Sequence, residues 1–520
     1  MFWGIGRALE QASRSTRLWQ VWIIIVLIAA SSVPILASQR LAHPIDDAYI
    51  TLTYARSLSE GRGFTFGEFV DKPSLGTTTP LYAALLAVAS RLLPFADMPQ
   101  LAVALSVVAW LATAWLWAWQ GPALGLSRLE SLCVALLLLL ETSFWISALG
   151  METRLFCFLL SLSLVVYFRG WYFWAGLLAG LLSLTRGEGF LMFAALGFYQ
   201  VLSDVAKHQS PISKLARLAA GGLIVLVPWA IYTWFTFGSL LPNTLAAKAA
   251  QVNTGSHFSF LPFAASMLIV RWSSLGVLGV NFWLVLATLG LMVATLEFRK
   301  LLVLALWLLL FVVGYTAVGA PGYDWYVLPI LLIVVIFAGL AIGALPRWLL
   351  RHRKPGRSEG TLSALEKRLG TIISVAALIA VFAVVLPHSI PEQTLGAPSH
   401  DVYRRIAAWI NARTPHPAKV AFVEVGYLSW YCRCEVVDLL GLTRPDLIPA
   451  VKQKNYLLAF QEAAPDYLIY TPDNDFWLKA IVTNPGFLHD FRPVATFPRS
   501  DASPMTLYGH VRTVGMGASK

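Results

Sequence analysis

The feature that most restricts this chain is its series of long, uninterrupted apolar runs. Val21–Ala37, Ala102–Trp119, Ser131–Leu140, Gly221–Ile231, Leu301–Val313, Val327–Ala344 and Thr371–Val385 contain no charged residue. Several reach or approach the roughly 20 residues a helix needs to cross about 30 Å of hydrocarbon. Backbone polar groups in lipid are satisfied only within helices or closed barrels, and apolar runs this continuous are helical. Only 13% of the residues are charged, about half the fraction usual in soluble domains. An ordinary soluble fold is excluded.

The net charge of +11 does not point to nucleic acid, because the cations sit in short loops between apolar runs. Arg7, Arg14 and Arg17 precede the first run. Lys207, Lys214 and Arg217 share one loop, and Arg347, Arg351, Arg353, Lys354, Arg357, Lys367 and Arg368 another. Loops of this kind face the cytoplasm and favour anionic headgroups. The expected setting is the cytoplasmic membrane of a prokaryote, multi-pass, with the N-terminus inside. The first run is longer than a signal-peptide core and lacks a clean small-x-small cleavage site, which favours an uncleaved anchor.

Candidate spans fall at about 19–38, 80–93, 101–119, 129–148, 154–168, 171–185, 187–201, 218–236, 263–296, 301–317, 326–346 and 370–388. An inside N-terminus and a basic loop at 347–369 require an odd total, so 263–296 or the short 80–93 is miscounted. The expectation is an all-α polytopic membrane domain, 1–389, with about 11 to 13 helices. Beyond 390 the composition changes. A helix at 400–413 and strands at Lys419–Val425, Glu435–Leu440 and 465–470 predict a small extracytoplasmic α/β domain, 390–520. Cys133 and Cys157 fall in apolar runs, where a buried small hydrophobe is expected. Cys432 and Cys434 have no nearby His or Cys to support a metal or redox role, and four cysteines are too few for a disulfide scaffold.

Chemistry gathers in the long loop 39–79, which reads His43-Pro44-Ile45-Asp46-Asp47-Ala48-Tyr49-Ile50 and ends Gly76-Thr77-Thr78-Thr79-Pro80-Leu81. Long ordered loops in compact proteins are usually functional. Adjacent carboxylates can deprotonate a hydroxyl or grip a divalent metal ion, and mutual repulsion raises one of their pKa values. The plain alternative is that an Asp before a helix caps it. Asp46 caps and Asp47 reacts, or the reverse. Four further polar stretches should share the outer face: Gly150-Met151-Glu152-Thr153-Arg154, Thr185-Arg186-Gly187-Glu188-Gly189, Leu241-Pro242-Asn243-Thr244 with Lys248, and Gly322-Tyr323-Asp324-Trp325-Tyr326. Ionisable groups at membrane depth are costly, so their recurrence indicates a site or local pairing such as Arg186 with Glu188. Cations such as Arg186 or Lys248 suit a phosphate.

Taken in order, these motifs resemble the GT-C membrane glycosyltransferases, and most closely the arabinofuranosyltransferase-like branch that uses polyprenyl-phosphate sugars. Asp46-Asp47-Ala48-Tyr49-Ile50-Thr51, Gly61-x-Gly63-Phe64, the Thr-Pro-Leu entry at 79–81, and Val437-Asp438-Leu439-Leu440-Gly441-Leu442 carry the likeness together with the four stretches above. Gly187 where that branch has Pro, Ala320-Pro321 before Asp324, and the two cysteines at 432 and 434 depart from it. The resemblance implies an inverting transfer from a polyprenyl-phosphate sugar to a glycan or lipid-linked glycan outside the membrane. Asp46 or Asp47 would be the base, both would be metal ligands if a divalent ion takes part, and Arg56, Arg186 and Lys248 would hold the donor phosphate. Glu152, Glu188, Asn243, Tyr323 and Asp324 would bind substrate. A lipid or glycolipid transporter or flippase is the alternative class, but no inverted repeat is evident and the polar motifs gather at one face.

Overall fold

The computed structural model describes residues 21, 24–36, 44–70, 73–140, 148, 150–252, 259–273, 279–352, 363–385, 397–414, 417–500 and 502–513. Arg7, Arg14, Arg17, His43, Arg353, Lys354 and Arg357 lie outside the described residues.

Apolar helices build a multi-pass membrane bundle. They are α1 (Ile24–Leu36), then, after two loop helices α2 (Asp46–Ser59) and α3 (Pro80–Leu92), α4 (Met98–Gln120), α5 (Arg128–Leu140), α6 (Thr153–Phe168), α7 (Tyr172–Thr185), α8 (Phe190–Val205) and α9 (Ile212–Phe237). A short α10 (Asn243–Val252) precedes α11 (Phe260–Ser273), α12 (Gly279–Glu297), α13 (Leu302–Ala317), α14 (Asp324–His352) and α15 (Ala364–Val385). Five of these stretches, based on α4, α9, α13, α14 and α15, are long and apolar enough to cross a membrane alone. α14 is the axis, buried on every side from Tyr326 to Ala344. Its tight packing on α12 needs Gly290, where a Cβ would stand 1.8 Å from the Phe337 carbonyl oxygen. Small residues at such crossings let membrane helices approach closely.

Polar bonds identify the two ends of the bundle. At one end Lys300 donates to the Ala123 carbonyl at 2.8 Å, Arg347 to Ser127 at 2.9 Å, and Arg351 pairs with Glu297 at 3.0 Å. Lys214 pairs there with Asp204 at 2.8 Å. The other end carries Glu152, Arg186, Glu188 and Lys248.

The stretch 80–93, taken above as a candidate span, is corrected by the structure. Tyr82 in the first turn of α3 donates to the Gly150 and Ala102 carbonyls, and Arg91 in its last turn donates to the Ser59 carbonyl. Both ends of α3 therefore lie at the Glu152 end, alongside α2. Its 13 residues span only about 20 Å. Hydropathy misread it because its apolar face is buried against α2 rather than in lipid. α11 begins at that same end, where Phe260 donates to the Ala320 carbonyl, and α12 finishes at the other beside Arg351. With α3 and α11 not counted as crossings, α1, α4–α9 and α12–α15 give an odd number, eleven, among the described residues.

Beyond the bundle, α16 (Ala397–Arg413) leads to a five-stranded mixed sheet of order β2-β1-β3-β5-β4. β1 (Lys419–Phe422) lies parallel to β2 (Glu435–Asp438) and β3 (Tyr467–Tyr470), whereas β5 (Met505–His510) runs antiparallel to β3 and β4 (Phe491–Phe497). The core of this unit extends into the long loop: Tyr49, Leu52, Tyr54, Phe64, Phe66 and Leu75 are buried in one cluster with Val420, Phe422 and Val437. A six-residue helix, α17 (Gly426–Tyr431), lies directly on α2. A Cβ at Gly426 would meet the Asp46 carbonyl oxygen at 1.9 Å, so only glycine permits this contact.

Gly426→Ala is expected to destabilise the detergent-purified protein by about 1–3 kcal/mol, the usual cost of overpacking. Gly314→Ala, where nothing stands within 4 Å, serves as control. Thermal unfolding of the two variants checks this, and equal midpoints would contradict the tight α2–α17 contact.

Candidate functional site

α2 begins at Asp46 and Asp47 with Ile45 as its extended N-cap residue. Neighbouring residues on an α-helix point about 100° apart, and the two carboxylates go to different places. Asp46 turns to α17: its carboxylate accepts the Tyr427 N–H at 2.6 Å and the Gly426 N–H at 3.1 Å. At the far end of the same pair, Arg56 donates to the Ser429 and Trp430 carbonyls at 2.9 and 3.0 Å, and Thr53 lies 2.9 Å from the Ser429 hydroxyl. The acidic group thus meets the positive end of the α17 dipole and the basic group its negative end. Burial raises the Asp46 pKa to about 8, with help from the negative charges of Glu424 and Asp47.

Asp47 faces a cavity of about 730 Å³. Glu152, Arg186, Glu188 and Lys248 line the same cavity, with Thr51, Thr77 and Thr79. The three threonine hydroxyls lie 3.0 to 3.5 Å apart. The C-terminal unit contributes Leu442 to the wall. Away from the charges the walls are apolar, formed by Phe190, Leu191, Leu226, Trp229, Leu241 and Leu245. Several of these, including Phe190, Leu241 and Leu245, are exposed.

The cations in the cavity differ in how they are held. Arg186 is clamped between two carboxylates, with Nη1 at 2.9 Å from Glu152 and Nη2 at 2.7 Å from Glu188. Tyr315 also donates to Glu188. The local pairing expected of Arg186 with Glu188 is present, and Glu152 joins it. Lys248 instead donates to the Tyr326 hydroxyl at 3.1 Å, with the rings of Tyr323 and Tyr326 at 5.1 and 5.5 Å. No carboxylate lies within ion-pair distance of it among the described residues. Burial opposes its charge, yet Tyr326, Tyr323 and Asp47 hold its pKa above the ordinary lysine value. For Asp47, burial raises the pKa and Lys248 partly offsets this, while Glu424 and Asp438 add to the rise. The Thr244 hydroxyl is buried in the cavity wall with no hydrogen-bond partner among the described residues.

The remaining residues singled out from sequence are placed as follows. Asn243 opens α10, its N–H bound to the Leu75 carbonyl at 3.0 Å, beside the lining residues Pro242 and Thr244. Tyr323 stacks on Trp325, which lines the cavity, and Asp324 is the first residue of α14, two positions before Tyr326. Arg56 and Asp46 lie outside the cavity. Tyr315, Tyr326, Thr244 and Glu424 were not among the expected site residues. Tyr326 and Thr244 stood within quoted motifs, but nothing in the apolar run around Tyr315 marks it. Asp46 and Asp47 do not converge as a metal clamp, because the Asp46 carboxylate is bound to two backbone N–H groups. Among the described residues no three His, Cys, Asp or Glu side chains gather to hold a metal ion. Cys432 and Cys434, for which the sequence offered no support for a redox or metal role, are joined in a disulfide.

A family model described as a domain of unknown function, DUF8728, matches residues 392–510, the α16-to-β5 unit. No curated protein matches the sequence. Among solved structures, ArnT from Cupriavidus metallidurans bound to undecaprenyl phosphate superposes with a TM-score of 0.58 at 14% identity, covering 95% of this chain and 98% of that one. Its apo form gives 0.55 with the same identity and coverage. The archaeal oligosaccharyltransferase AglB from Archaeoglobus fulgidus, in complex with an inhibitory peptide and a dolichol-phosphate, gives 0.54 at 11% identity, covering 86% of this chain and 69% of that one. The chain therefore has the GT-C fold, along nearly its whole length.

Proposed function

We propose that this protein is a membrane glycosyltransferase that moves a sugar from a polyprenyl-phosphate donor to a hydroxyl of a glycan or lipid-linked glycan, with inversion. The observation that carries the reading is one cavity holding Asp47, a lysine without a carboxylate partner and a long apolar wall. ArnT and AglB, which share the fold, are each described with a polyprenyl-type phosphate. Their likeness bears on the fold; the arabinofuranose branch rests on the sequence motifs alone.

In the proposed reaction the acceptor oxygen attacks the anomeric carbon from the face opposite the phosphate. The bond from that carbon to the phosphate oxygen breaks, and its electron pair leaves with polyprenyl phosphate, which gains a negative charge. Asp47 takes the acceptor proton. Lys248 offsets the new charge on the leaving phosphate, in a cavity where low dielectric makes such compensation effective. Arg186 is better suited to fixing Glu152 and Glu188 as acceptors for sugar hydroxyls, because a phosphate approaching it meets both carboxylates. Thr244 offers an unused hydroxyl to the donor. Asp46 acts by holding α2, and so Asp47, in place.

The proposed orientation puts the Asp47 end outside and the N-terminus in the cytoplasm. Lys207, Lys214, Arg347, Arg351, Lys367 and Arg368 lie at the opposite end of the bundle, as cytoplasmic cations should. A disulfide in the C-terminal unit suits an oxidising compartment.

The direct test is transfer from a panel of polyprenyl-phosphate sugars to short glycans, by protein purified in detergent. Asp47→Asn should lose about a hundred- to ten-thousandfold in rate, the usual worth of a general base. Asp46→Asn should retain transfer but unfold at lower temperature. Full transfer by Asp47→Asn would remove the base assignment. Donor binding and movement across a bilayer without turnover would favour the transporter class.

The acid limb of the pH–rate profile gives a second test. Asp47 must be ionised to accept a proton, so kcat/KM should rise with pH through its pKa, at a pH above the ordinary carboxylate range. Lys248 lowers that pKa, so Lys248→Met should move the limb to higher pH and raise the donor KM, whereas Lys248→Arg should leave the limb near its original place. A downward shift in Lys248→Met would contradict the electrostatic pairing.

A further inference from the structure

At the other end of α2 lies a second pocket, of about 340 Å³, outside the cavity just described. One wall is the turn after α2, with Arg56, Arg62 and Glu68. The other is the end of α17 and the segment to β2, with Trp430 and Arg433. α2 thus contributes to both this pocket and the Asp47 cavity, through Arg56 and Asp47 respectively.

Its cations are not matched by its carboxylates. Arg62 pairs with Glu60, and its Nε is buried with no partner among the described residues. Arg56 uses its Nη atoms on carbonyl oxygens and lies 4.3 Å from the Trp430 ring, with no carboxylate in ion-pair distance among the described residues. The Arg433 side chain is exposed and makes no hydrogen bond or ion pair among the described residues. Its backbone is nevertheless fixed. The disulfide joins the residues on either side of it, the Asn411 side chain accepts its N–H at 2.8 Å, and the same amide donates to the Tyr431 carbonyl at 3.1 Å. A braced backbone confines the ordering cost of binding to the arginine side chain.

We infer that this pocket is an acceptor subsite for an anionic saccharide unit, a sugar carrying a carboxylate or phosphate group. Arg433 donates to the anionic group, Trp430 offers a ring face beside a sugar ring, and Glu68 accepts from sugar hydroxyls. Asp47 and Arg56 are nine positions apart on one helix, about 13.5 Å along its axis. The two positions are also about half a turn apart around that axis, so an oligosaccharide held here by an inner unit would reach the base by passing around α2. That placement in the reaction rests on the transferase reading; the binding does not.

The test uses full-length protein in detergent and isothermal titration with tetragalacturonate, with maltotetraose as neutral match and glycerophosphoglycerol as the soluble form of an anionic lipid headgroup. Tetragalacturonate should bind the wild type and Asp47→Asn equally. Arg433→Glu should weaken it about ten- to hundredfold, the loss of a charged hydrogen bond, and Arg433→Lys should restore part of it. Absence of tetragalacturonate binding, equal binding of maltotetraose, tighter binding of glycerophosphoglycerol, or indifference to Arg433→Glu would each overturn the inference. Asp47→Asn separates the two readings. If it retains transfer while tetragalacturonate still depends on Arg433, the base assignment fails and the subsite stands.

Discussion

The structure depends on the way α2 is held against α17. Asp46 binds the first two N–H groups of the short helix and Arg56 its last carbonyls, so two helices run side by side with side-chain hydrogen bonds closing both ends. Cap and dipole interactions of this kind contribute on the order of 1–2 kcal/mol each in partly buried settings. Their larger effect is geometric. With Asp46 fixed, the next residue is turned about 100° away, and Asp47 is committed to the cavity. Because Tyr49, Leu52 and Tyr54 belong to the core of the C-terminal unit, that unit sets the position of the proposed base.

Inside the cavity, three carboxylates face two cations, and the arrangement matters more than the sum. Arg186 is neutralised by Glu152 and Glu188 at ion-pair distance. Buried ion pairs of this geometry are costly to break, since removing one partner strands the other. The triad therefore reads as a rigid, hydroxyl-accepting wall. Lys248, braced by Tyr323 and Tyr326, is left to answer the charge of whatever enters. In the proposed transfer one cavity would separate two tasks, with sugar recognition on the triad side and phosphate compensation on the lysine side.

Much of this was legible in the sequence, and the rest was hidden for definite reasons. Apolar runs located the bundle, and the parity of basic loops required that one stretch such as 80–93 not cross. Hydropathy could not say which, because a helix buried against α2 looks like one buried in lipid. The ordered motifs brought Asp47, Glu152, Arg186, Glu188 and Lys248 together. The division between Asp46 and Asp47 stayed open because the capped helix lies about 380 residues away in the chain. Arg56 read as a phosphate ligand for the same reason: its carbonyl partners are equally remote. β4 and β5 escaped notice because β4 is largely exposed along its length and lacks a clear alternating pattern.

The central claim is that Lys248, not Arg186, meets the donor phosphate while Asp47 faces the sugar. The most direct measurement is a cryo-electron-microscopy structure of the full-length protein in lipid nanodiscs loaded with polyprenyl phosphate. The phosphate should lie within hydrogen-bond distance of the Lys248 ammonium, with the prenyl chain along Leu226, Trp229 and Leu245 and the triad of Glu152, Arg186 and Glu188 intact. A phosphate seated on Arg186 with that triad opened, or lying outside this cavity, would contradict the claim.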